Sequence, residues 1–163
     1  MRGLWAGSVI VAAALAAAGC ATDLPVAGAG CHPDGTGRLA GVDWEAAHAV
    51  EVRLRDGDFD PMVVAFIRDR PYVLRITNAD GDSHSFSAPE FFRTAAIDSV
   101  AVNGARQEPG CVSTVGVPGG GTAEVRLMAL RDGRYDLNDA GLVPIQLDLG
   151  HVTGKGFGAV YVE

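Results

Sequence analysis

The chain lacks any cluster of basic residues. Its 163 residues carry 13 Lys and Arg against 20 Asp and Glu, a formal charge of −7. Nucleic acid, whose binding rests on Lys and Arg neutralising phosphates, is excluded as a partner. Aromatic residues are scarce at 7%, and charged residues make up only 20% against 48% hydrophobic. That balance excludes disorder by composition. Beyond its first segment the chain has no apolar run long enough to span a bilayer. It has no Gly-x-Ser-x-Gly elbow, no phosphate loop and no His-Glu-x-x-His helix, so the common hydrolase and nucleotide-binding motifs are missing. The Ser residues beside His84 (Ser83, Ser85 and Ser87) are explained by strand alternation and turn chemistry, and no enzymatic role is expected.

What is present starts with the first segment. Arg2 precedes the apolar stretch "LWAGSVIVAAALAAAG", the layout of a secretory signal. "LAAAGC" (Leu15 to Cys20) resembles the lipobox of bacterial lipoproteins, with Ala17 where Leu is more usual. The resemblance implies a signal peptide over residues 1–19, acylation of Cys20 (palmitate among its chains), and a cell-membrane lipid anchor facing the periplasm. An uncleaved anchor or a nearby cut are the alternatives. The chain has three cysteines. With Cys20 lipidated, Cys31 and Cys111 remain, and an oxidising compartment favours a disulfide between them. The rival is a metal thiolate, since Cys31 adjoins His32.

Residues 20–48, rich in Gly, Ala, Pro and Thr, read as a tether. Within them Asp43 is positioned to cap a helical turn through "WEAAHA". From residue 49 to 163 the pattern is strand and turn. "AVEVRLR" and "YVLRITN" alternate with period two, "MVVAFI", "HSFSA" and "AEVRLMAL" are strand-like, and "GAVYVE" ends the chain. "DGDFDP", "NADGDS" and "VPGGGT" read as turns, and "PEFFRTAAI" as a helical turn with Pro89 at its first position. The prediction is an all-β, Greek-key β-sandwich of about seven to eight strands, a single domain and a monomer.

The order of "FDP", "RPYVLRITNAD", "HSF", "VPGGGTAEVRL", "DGRYDL" and the closing "GAVYVE" resembles the cupredoxins, the plastocyanin and azurin superfamily, over residues 49–163. That resemblance implies a copper site at one end of the sandwich. His84 matches its first His, and His151 the second, in the loop before the last strand. The Cys expected just after "YDL" is replaced by Asn138 and Asp139, and the Met expected after His151 by Gly156 and Phe157. A blue-copper centre needs the thiolate, so an electron carrier of that type is not expected. The leading expectation is copper at an altered two-His site, His84 and His151, completed by Asp139 or Glu90. Its role would be copper handling, with a periplasmic copper protein as possible partner. The alternative is a metal-free scaffold that binds a partner protein or ligand. Glu90 also suits the first turn of the helix. Asp82 and Asp148 read as loop residues, and His32 and His48 lie outside the matched site.

Overall fold

The computed structural model describes residues 33–107, 110–139 and 156–163. Eleven strands among them form two sheets that face each other across one core. In chain order they are β1 (His48–Arg55), β2 (Asp58–Asp60), β3 (Val63–Phe66), β4 (Pro71–Asn78), β5 (His84–Ser87), β6 (Ala95–Val102), β7 (Ala105–Gln107), β8 (Thr114–Val117), β9 (Thr122–Ala129), β10 (Gly133–Asn138) and β11 (Phe157–Val162). One five-residue helix, α1 (Pro89–Arg93), interrupts them. The larger sheet has the order β2-β1-β4-β9-β6-β7, the smaller β3-β11-β10-β5-β8. Both are mixed, because β1 runs parallel to β4 and β3 parallel to β11.

Alternation explains the sandwich. Along β1 and β4, Val52, Leu54, Leu74 and Ile76 are buried while Arg53, Arg55, Arg75 and Thr77 are exposed. Period two sends one set to the core and the other to solvent. The smaller sheet answers with Val64, Phe66, Phe86, Val115, Val117, Leu137 and Val160. Each such buried side chain contributes about 1.5–3 kcal/mol by leaving water. The helix adds Phe91 and Phe92, both buried; Phe91 stacks on Phe66 with ring centroids 5.3 Å apart. Pro89 does open this helix, as the sequence predicts.

The prediction of seven to eight strands falls short for local reasons. The expected helical turn stops at Arg93, and "AAIDSVAV" becomes β6. A β-bulge between Ile97 and Ser99 breaks its period, so no clean alternation marks it. β2 lies inside a stretch dense in turn residues, and β8 contains Gly116. Residues 44–47, expected as a helical turn, instead form a bend. The Asp43 carboxylate accepts the Glu45 N–H at 3.0 Å, and His48 begins β1 against the Tyr72 ring. Part of the stretch expected as a tether joins the fold. Pro33–Leu39 forms a short 3₁₀ helix, and Leu39 packs with Ala96 and Met128 beneath Val42 and Trp44.

Candidate functional site: a histidine between two carboxylates

The site lies where three segments meet at one end of the sandwich. β4 ends in Asn78, a 1% exposed residue that organises the turn beyond it. Its side-chain N–H groups donate to the carbonyls of Asp82, Val117 and Pro118 at 2.8–3.1 Å, and its Oδ1 accepts the Asp80 N–H at 2.9 Å. A buried amide is stable only when so paired. The turn Pro118–Gly121 seats against the same loop: Gly120 N–H donates to the Asp80 carbonyl at 2.8 Å. Gly119 lies so near Gly81 that a Cβ there would fall 2.0 Å from its carbonyl oxygen.

This scaffold aims Asp80 and His84 at each other. The Asp80 carboxylate accepts the backbone N–H groups of Asp56 and Gly57 at 2.9 and 3.1 Å and contacts His84 Nε2 at 2.9 Å. Those backbone donors, ahead of the neighbouring imidazole, hold the Asp80 carboxyl below the ordinary carboxylate range, against an opposing desolvation effect. On the ring's other side, Asp139 Oδ2 lies 2.6 Å from His84 Nδ1. The second oxygen of Asp139 accepts the Ser85 N–H at 2.8 Å and the Ser85 hydroxyl at 3.1 Å. Asp139 follows β10, and its N–H donates to the Gly156 carbonyl at 3.1 Å. His84 and Asp139 are both largely covered, with side chains 16% and 6% exposed.

Both ring nitrogens of His84 are therefore engaged by carboxylates. A metal ion at either nitrogen would have to displace the carboxylate that faces it. Two ligands of one tetrahedral ion with bonds near 2.0–2.1 Å sit roughly 3.3 Å apart; the 2.6 Å contact between His84 and Asp139 is shorter. Among the described residues no group of three or more His, Cys, Asp or Glu side chains is arranged to hold a metal ion. Among the described residues the donor set does not fit a type 1 copper centre. Nor is it a nucleophile–base pair. The nitrogen opposite Asp139 faces Asp80, where a hydrolase would place its nucleophile, and the Ser85 hydroxyl turns to Asp139.

The structure thus brings together two of the four expected metal residues, His84 and Asp139. Glu90 instead bonds Arg93 at 2.7 Å on the exposed side of α1. His151 lies outside the described residues, as do Asp148, His32, Cys20 and Cys31. Cys111 is disulfide-bonded. Asp82 is exposed and contributes its backbone carbonyl to Asn78. Asp80 was not foreseen as a site residue; the signal available was its place four residues before His84, behind Asn78.

No family model matches the sequence, and no curated protein does. Solved structures do. A multi-copper oxidase from Pediococcus acidilactici superposes with a TM-score of 0.51 at 12% identity, over 76% of this chain and 28% of its own. A laccase from Pediococcus acidilactici gives 0.52 at 15% identity with the same coverage. The fold is cupredoxin-like. The chain spans only about 28% of the length of these two proteins. Auracyanin A, a "blue" copper protein from Chloroflexus aurantiacus, gives a TM-score of 0.47 at 15% identity, over 72% of this chain and 100% of its own. At such identities the cupredoxin likeness concerns the fold alone. No helix among the described residues is long and apolar enough to cross a membrane.

Proposed function

We propose that this chain is a cupredoxin-scaffold binding module, tethered to the bacterial envelope by a lipid on Cys20, and that its copper end has been rebuilt without copper. The observation that carries the reading is the 2.6 Å contact between Asp139 Oδ2 and His84 Nδ1. Asp139 stands just after "YDL", where the resemblance places a Cys. A carboxylate there bonds the imidazole directly, so the protein's own side chains occupy the space between first His and lost thiolate. Asp80 closes the other nitrogen. The end is polar and internally satisfied, which suits a fixed surface for a partner protein or ligand better than catalysis.

The competing reading keeps copper at His84 and His151. The proximity of Asp139 to His84 favours it to one degree: a carboxylate able to complete a site is at hand. Binding would require Asp139 or Asp80 to release the ring. One experiment separates the two. The purified chain is titrated with Cu(II) and followed by electron paramagnetic resonance, alongside His84→Ala. The scaffold reading expects superimposable titrations. Stoichiometric copper with nitrogen hyperfine structure, lost in His84→Ala, would establish the copper reading instead.

A further inference from the structure

The outer face of the larger sheet carries a groove of about 450 Å³, lined in part by Arg75, Arg106, Arg126, Glu124, Ala101 and Thr77. That volume falls within the range of small-molecule sites. Three guanidiniums surround it against one lining carboxylate, in a chain whose formal charge is −7. The sheet register builds the arrangement. Arg75 on β4 stands opposite Glu124 on β9, Glu124 opposite Ala101 on β6, and Ala101 opposite Arg106 on β7. Ala101 is the short member of that row, so the floor between Glu124 and Arg106 is left open. Arg126, two residues along β9, pairs in register with Ser99.

The hydrogen bonds place the guanidiniums without consuming them. Glu124 takes the Nε of Arg75 through one oxygen at 3.5 Å and the Nε of Arg126 through the other at 3.2 Å. The terminal Nη groups of both arginines make no other hydrogen bond or ion pair among the described residues. Arg106 is held by Asp98 at 2.6 Å through a single Nη. Ser99, which is 3% exposed, donates to that same carboxylate at 3.0 Å. A carboxylate that grips Nε and leaves the terminal fork free orients an arginine for a second, planar acceptor.

We propose that this groove binds a small organic oxyanion, a carboxylate or phosphate ester, between the free forks of Arg75 and Arg126 with Arg106 at the far wall. The reading is independent of whether His84 takes copper, because the groove lies on the outer face of the other sheet. The purified full-length chain, ¹⁵N-labelled, is titrated with citrate in one arm and pyrophosphate in another, with glycerol as the neutral control. Saturable shifts of the Arg75 and Arg126 Nε–H and Ala101 N–H signals are expected with at least one anion and none with glycerol. A response to citrate alone marks a carboxylate ligand, to pyrophosphate alone a phosphate, and to both a general oxyanion site. The double variant Arg75→Gln/Arg126→Gln should weaken binding about tenfold or more, the scale of lost charge-assisted bonds. Ala101→Leu, which fills the floor and keeps every charge, should weaken it too. Arg134→Gln, at an exposed side chain on β10 of the other sheet, should leave it unchanged. No saturable shift with either anion, or equal weakening by Arg134→Gln, or full binding in Ala101→Leu, would overturn the proposal.

Discussion

At the scale of single residues, the chemistry turns on which atoms of Asp139 and Asp80 are already spoken for. Asp139 accepts three donors, from His84, the Ser85 N–H and the Ser85 hydroxyl, in a largely buried setting. Removing His84 would leave one oxygen of that largely buried carboxylate without its hydrogen-bond donor, a loss that is costly for buried polar groups. His84→Ala is therefore expected to lower unfolding free energy by about 2 kcal/mol, read as a shift of the urea midpoint at constant slope. A shift within about 0.5 kcal/mol, the usual range for surface substitutions, would mean that the clamp does not stabilise the native state. Asp80 yields a pH prediction. Its folded-state carboxyl titrates below its ordinary value, 3.8, chiefly because Asp56 and Gly57 donate to it. The unfolded state thus binds its proton first as pH falls. The stability linked to Asp80 is fully present above the unfolded value and is lost as pH drops through the folded one. Asp80→Asn should be less stable than wild type at neutral pH and converge toward it in strong acid. A constant gap from pH 7 to pH 2 would refute the assignment.

At the scale of elements, the end of the sandwich is set by two loops locked face to face. Gly119 marks the lock. A Cβ there would meet the Gly81 carbonyl at 2.0 Å, a backbone atom that cannot swing away. Gly119→Ala must push the Pro118–Gly121 turn off the 79–83 loop, weakening the Gly120-to-Asp80 hydrogen bond and disturbing the approach of Asp80 to His84. A cost of about 1–3 kcal/mol is expected, as for overpacking, with faster hydrogen exchange at Gly120 as the specific sign. Unchanged exchange there would argue that the loops separate without consequence. The same elements show what the sequence could disclose. β1, β4, β9 and β11 were legible because one face is buried and the other wet, which writes period two into the chain. β6 was not, because its bulge shifts the phase midway, and its alanines carry little contrast. His84 was legible as a candidate through its place after "ITNAD", and Asp139 through the missing Cys. Their direct bond was not, since it depends on β10 and β5 being neighbours in the sheet. The arginine groove was still less visible. It draws on β4, β7 and β9, so no stretch of sequence is basic although the assembled face is.

At the scale of the whole molecule, the three cysteines divide between two jobs that exclude each other atom by atom. A sulfur carrying lipid cannot also form a disulfide. Cys111 is disulfide-bonded; if the lipid sits on Cys20, Cys31 is the one remaining partner in the chain. The two proposals therefore stand or fall in a linked way, and two variants separate them. Cys20→Ser should abolish incorporation of radiolabelled palmitate while leaving Cys111 resistant to alkylation under non-reducing conditions. Cys31→Ser should do the reverse: label retained, Cys111 alkylated. It should also lower the thermal midpoint, because the lost bridge closes a long loop and such bridges contribute about 3–5 kcal/mol in the chain-entropy model. Membrane partitioning alone would be a poorer test, since Cys20→Ser can leave the apolar leader in place as an anchor. Label and thiol reactivity read the sulfurs themselves. Should Cys20→Ser free the Cys111 thiol, the pairing would be Cys20–Cys111, the lipid would have no sulfur to occupy at residue 20, and the chain would have to be held in its compartment by other means.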